Sequence, residues 1–295
     1  MKSQIQTDHR KGLMITAMGG LLLTVDVPLL VLSGADTANM LFLRGPMAAF
    51  ALFLWWAFYM RKQGTPLFQG RATLITSGLS FLQNVAFIGA INHSNVSNVI
   101  FILAFNPMFS ALVSWIFLKE RISPGTIAAM LASFIGVVII VWDSIGQGTL
   151  WGDLMALSCA LLLAITLSYT RATGKDLSLT PGYGMILSSI FAAPFANPGM
   201  MSASGMGYMA LNGFFIAPAS FALLSLGPRY IAAAEVAMFF LLETCLTPVW
   251  MWLIFGDMPP SPTLIGGAII IIALGLHSFA QLIGRKKRKA AVSQL

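Results

Sequence analysis

Trp115–Val138, WIFLKERISPGTIAAMLASFIGVV, joins an aromatic-rich helix end to a short charged turn and then to a fresh apolar run. Trp252–Gly275, WLIFGDMPPSPTLIGGAIIIIALG, repeats that order of features at a shift of 137, from 115 to 252. A second pair points the same way. Gly12–Leu23 (GLMITAMGGLLL) lies over Gly152–Leu163 (GDLMALSCALLL) at a shift of 140, from 12 to 152. Two such shifts imply a duplicated unit, with pseudo-repeats at 12–142 and 150–283.

The medium around these repeats follows from composition. Of the 295 residues, 57% are hydrophobic and 9% charged, with a mean hydropathy of +0.83. Soluble domains carry about 25% charged residues, so most of this surface faces something other than water. A spanning helix needs about 20 mostly apolar residues. Ten such runs are expected, near 13–33, 38–60, 72–91, 95–118, 125–142, 151–170, 181–197, 206–226, 231–255 and 263–283. The first follows Lys2, Arg10 and Lys11 but outruns the roughly 7–15-residue core of a signal peptide, so it reads as a retained first helix.

Charge orders these runs. Lys and Arg collect on the cytoplasmic side of a membrane. With the N-terminus inside, the basic residues of the tails and of the loops near 61–71, 119–121, 171–175 and 229 all fall on the inner side. Only Arg44 lies within a span, and the outer loops carry acids such as Asp36, Asp143 and Asp257. The fold expected is an all-α membrane protein, a single membrane domain of ten transmembrane helices built as two inverted five-helix repeats. Both termini are then cytoplasmic, and 284–295 is a basic tail whose Arg285–Lys289 run serves orientation rather than nucleic-acid binding. Five helices is an odd number, so the second copy enters from the opposite side, as in transporters that hold their site between the halves.

Catalytic patterns do not emerge. There is no HExxH and no GxSxG elbow, and three histidines with two cysteines at these spacings make no zinc site. Neither an enzyme nor a cofactor is expected. Cys159 and Cys245 read as apolar filler, and Ala128, Ala132 and Gly136 as a small-residue packing stripe. A channel would need repeated filter loops, which the sequence lacks.

The residues Phe105-Asn106-Pro107, Ala111-Leu112 and Trp115–Glu120, followed by the apolar helix Ile127–Gly136, resemble the drug/metabolite transporter superfamily and, within it, the ten-helix EamA-type permeases. The second half is similar in a looser form, through Pro248, Trp252–Phe255 and Gly266-Gly267, with Asp257 where the family has Glu. Within that family the chain is most similar to the YddG-like aromatic amino-acid exporters. The resemblance implies a secondary carrier in a bacterial inner membrane that exports small metabolites, amino acids among them, by alternating access. Efflux of other amphipathic or cationic compounds stays open, as do proton coupling and oligomeric state.

Polar groups within the runs are the candidate site. A charge at helix centre costs about 2.5–3.5 kcal/mol on insertion scales and usually faces the bundle interior. Asp26 and Arg44 lie at similar depth on adjacent helices, at about 1.5 Å per residue, either as a gate or carboxylate clamp or as a structural ion pair. Glu243, near mid-helix, aligns with Asn106 through the repeat, and the two are expected to face each other across a central cavity. Phe81 and Asn84 share a helical face with Gln83 beside it, and Asn98, Phe101 and Phe105 share another. Tyr169 is the weakest member. These residues would suit an amphipathic solute, its ammonium near Glu243 and its side chain among the phenylalanines.

Overall fold

The structure, a computed structural model, describes residues 2–64, 66–119, 124–173, 175, 177, 179–226, 233–256 and 258–292. Thirteen α-helices and no strands occur among them: α1 Lys2–Leu23, α2 Asp26–Leu32, α3 Thr37–Trp55, α4 Arg71–His93, α5 Val96–Leu103, α6 Asn106–Leu118, α7 Pro124–Gln147, α8 Leu150–Thr173, α9 Thr180–Ala192, α10 Ala203–Leu211, α11 Ala217–Leu226, α12 Ala233–Phe255 and α13 Ser261–Val292. Six stretches are long and apolar enough to cross a membrane by length and composition: 10–32, 37–58, 71–93, 96–117, 124–145 and 150–170. Leu242–Phe255 and Ser261–His277 are shorter apolar helices. Glu120, Arg121, Arg229 and Asp257 lie outside the described residues. The outer helices run past the apolar limits expected of them, α1 starting at Lys2 and α13 ending at Val292. Lys, Arg and Gln are good helix formers, so a polar flank need not end a helix.

The molecule exposes large apolar side chains and buries polar ones within an otherwise apolar core. Trp142 (76%), Phe117 (74%) and Phe58 (73%) are exposed, whereas Asp153, Asn212 and Ser133 are fully buried. A bilayer is the solvent that such a surface fits.

Proline decides where helices break. Pro28 has no N–H for the Thr24 carbonyl four residues back, and the chain leaves the helix as a turn at Thr24–Val25, between α1 and α2. Thr247 of α12 repairs the loss, its hydroxyl donating to the Thr24 carbonyl at 3.1 Å. Pro46 frees the Phe42 carbonyl inside α3 in the same way, and Ser189 of α9 donates to it at 2.6 Å. Hydroxyls from facing helices thus satisfy backbone that lipid could not. Pro107 likewise divides α5 from α6 at Ala104–Phe105.

Packing partners are distant in sequence. α1 packs on α11, α3 on α9, α4 on α8 and α9, α6 on α8, and α7 on α13. The last pair meets through glycine, since a Cβ on Gly136 would lie 2.6 Å from the Gly266 carbonyl oxygen. Here the expected small-residue stripe shifts: Ala129, Ser133 and Gly136 are buried while Ala128 is exposed. A straight 3.6-residue helix turns Ala128 away from a face centred on Gly136 and Ile140. Cys159 and Cys245 are free thiols, the first buried and the second exposed.

Candidate functional site

The break that Pro28 creates places Asp26 at the first turn of α2, where the positive end of the helix dipole favours a carboxylate. Arg44 of α3 donates through Nη2 to both Asp26 oxygens at 2.8 Å, and both residues are 2% exposed. The guanidinium also lies 5.8 Å from the Phe87 ring centroid, within cation–π range. Asn212 completes the cluster, its Nδ2 donating to the Asp26 carbonyl and to Oδ1, each at 2.9 Å. Asn212 starts a π-helical turn, Asn212–Ile216, between α10 and α11. Such turns insert a residue and frequently occur at functional sites. Thr24, in the break itself, accepts a 3.1 Å bond on Oγ1 from Trp250 Nε1 of α12.

Two polar atoms here are buried without a partner among the described residues, Arg44 Nε and Asn212 Oδ1. A donor and an acceptor are therefore unspent beside the same ion pair. Glu243 of α12 is half-buried, within electrostatic reach of Asp26, Arg44 and Cys159, and hydrogen-bonds no described residue. The arrangement can offer a donor, an acceptor and a second carboxylate to a polar solute.

The other expected residues are distributed differently. Asn106 does not bond Glu243: its Nδ2 donates to the Ala160 carbonyl of α8 at 2.8 Å. Phe101 packs on α13, where a Cβ on Gly267 would fall 2.6 Å from its ring. Asn98, expected at a cavity rim, donates to Ser144 at 3.0 Å and accepts from Thr263 at 2.6 Å, tying α5 to α7 and α13. Phe105 stacks edge-on against Phe109, centroids 4.9 Å apart, and lines an apolar cleft of about 650 Å³ between α6, α7 and α8 that opens at exposed Trp142. Phe81 pairs with Phe191 of α9 at 5.7 Å. Asn84 is buried, its Nδ2 without a partner among the described residues; Gln83 and Tyr169 are half-buried.

Sequence reasoning missed Asn212, Thr247 and Trp250. Asn212-Gly213 inside an apolar run is the one signal available, and Gly213 proves necessary because a Cβ there would meet Met47 at 2.8 Å. Thr247 carries no signal, since its partner is a carbonyl more than two hundred residues away.

Residues 17–142 match the EamA-like transporter family. An uncharacterised transporter from Archaeoglobus fulgidus is 24% identical over 264 residues, covering 83% of this chain and 89% of that one. A riboflavin transporter from Rhizobium johnstonii is 31% identical over 179 residues, 57% of each chain. A protein of known crystal structure superposes with a TM-score of 0.64 at 15% identity, over 92% of this chain and 98% of that one; at such identity the likeness concerns the fold. Apolar surface, hydroxyl-repaired proline breaks and a buried charged centre are what a membrane transporter would need, and the stretch 17–142 is similar to the EamA-like transporter family.

Proposed function

We propose that the chain is a ten-span secondary carrier for small zwitterionic metabolites, amino acids among them, and that its solute binds at the Asp26–Arg44–Asn212 centre. The observation that carries this is the pair of unspent atoms. A carboxylate would take the free Nε–H of Arg44, and an ammonium would take Asn212 Oδ1 with Glu243 as its counter-charge. Buried polar groups left unpaired cost about 1–3 kcal/mol each, so a solute that pairs both gains affinity and selectivity together.

Reciprocal packing supports two inverted halves. Advancing each span by one five-helix unit exchanges the α1–α11 pair with the α4–α8 pair, and it maps the α3–α9 and α7–α13 pairs onto themselves. Such a pseudo-two-fold arrangement suits alternating access around a central site, and it favours a carrier over a channel. The direction is export and the site a bacterial inner membrane with both termini cytoplasmic, as the family resemblance and the inner clustering of Lys and Arg imply.

A second reading comes from the riboflavin transporter relative: a flat heteroaromatic solute without a free ammonium. Counterflow into proteoliposomes separates the two. Radiolabelled phenylalanine should exchange saturably and be displaced by other zwitterionic amino acids but not by their N-acetyl derivatives. Riboflavin exchange without amino-acid exchange refutes the zwitterion reading and favours the second. Flux proportional to concentration without saturation makes the chain a channel.

A further inference from the structure

A second buried carboxylate lies away from this centre, at one end of the bundle. The C-termini of α4 and α7 and the N-termini of α5, α8 and α13 meet there. Asp153, in the first turn of α8, is fully buried among them. Ser94, just past α4, donates its hydroxyl to Asp153 Oδ1. Ser144 of α7 and Asn98 of α5 reach the same carboxylate, and the Asn98 bonds to Ser144 and Thr263 extend the network to α13. Asp153 Oδ2 has no partner among the described residues.

We infer that Asp153, with Ser94, Asn98, Ser144 and Thr263, forms a proton-binding site that fastens the two halves of the carrier together at this end. The network joins α4, α5 and α7 of one half to α8 and α13 of the other, and in this it rests on the two-halves reading above. An ionised carboxylate removed from water is strongly disfavoured unless a cation pairs with it. The helix N-termini here offset only a minor part of that cost. Among the described residues, the other titratable groups at this end are His93, exposed, with Nδ1 2.9 Å from the Gly89 carbonyl, and Asp143 of α7, half-buried; Asp257, in the loop before α13, lies outside them. α5, α6 and α13 contribute none here among the described residues. The closed network therefore holds the neutral acid. Parting of the helix ends admits water, and Asp153 then gives its proton up to that side. In the 140-residue register of the halves Asp153 lies over Leu13, so the opposite end has no equivalent acid. The device is one-sided, and the proposed topology puts it outside.

Pair distances test this without any substrate, so the result stands apart from the zwitterion reading. Spin labels on cysteines replacing Asn92 and Ser261, both exposed, would report across the network, with Cys159 and Cys245 changed to Ala. In nanodiscs the long-distance population should rise between about pH 5 and about pH 8, by at most tenfold in the ratio per pH unit, the limit for one proton. Asp153→Asn should stay at the short distance throughout. His93→Asn and Asp143→Asn should keep the wild-type response. A wild type whose distances ignore pH overturns the site, even if Asp153→Asn fails to fold. So does an Asp153→Asn protein that still responds, or a response that follows Na⁺ replacement by K⁺ at fixed pH.

Discussion

Asp26→Asn removes the negative charge from a pair held in the core of the bundle. Arg44 is 2% exposed, spends Nη2 on the two Asp26 oxygens at 2.8 Å and has no partner for Nε. After the substitution its positive charge keeps one amide oxygen and the face of Phe87. Breaking a buried pair from one side costs about 3–5 kcal/mol, whereas a cation over an aromatic ring returns about 2 kcal/mol at most when desolvated. The net expectation is a loss of about 1–3 kcal/mol, on the order of one to two decades in the folding equilibrium at about 1.4 kcal/mol each. Neutralising both sides, as Asp26→Asn with Arg44→Gln, removes the stranded charge and should recover most of the stability. Reversible unfolding in mixed micelles measures all four corners of the cycle. A coupling energy within about 0.5 kcal/mol of zero, the additivity expected of independent sites, refutes the reasoning. The double variant should remain inactive in transport even where its stability returns, because Arg44 is then no longer there to take a carboxylate.

Glu243→Gln should depress amino-acid counterflow at least tenfold with little change in melting temperature, since no described residue depends on that carboxylate for a hydrogen bond; normal transport removes Glu243 from the site. Thr247→Val leaves the Thr24 carbonyl without its repair, and a loss of about 1–3 kcal/mol with altered solute affinity is expected in the same unfolding and counterflow assays. Lys62→Cys, at the exposed loop after α3, should be labelled by an impermeant maleimide only after cells are opened; labelling of intact cells inverts the topology.

A membrane supplies one coordinate for free. Hydropathy and charge locate each residue along the bilayer normal, which is why an all-helical membrane chain and the common depth of Asp26 and Arg44 could be read from the sequence. The similarity to the EamA-like transporter family was legible for a related reason: Phe105-Asn106-Pro107 and the aromatic helix end are local signals. Rotation about each helix axis and the choice of neighbour are not local. Asn106 was expected across a cavity from Glu243, and its Nδ2 donates to the Ala160 carbonyl of α8. Phe101 and Asn98 were assigned to a cavity and instead pack on and bond to α13. Asn212 shows the limit most clearly. Its role depends on a π turn that re-aims one side chain and on Pro28, far away in the chain, having unwound α1 at Asp26. Sequence determined the all-helical, membrane-fitting character of the chain through solvation. Tertiary structure decided which orphaned carbonyl met which hydroxyl, because only packing brings residues so distant in the chain within hydrogen-bonding distance, as with Thr247 and Thr24 at 3.1 Å.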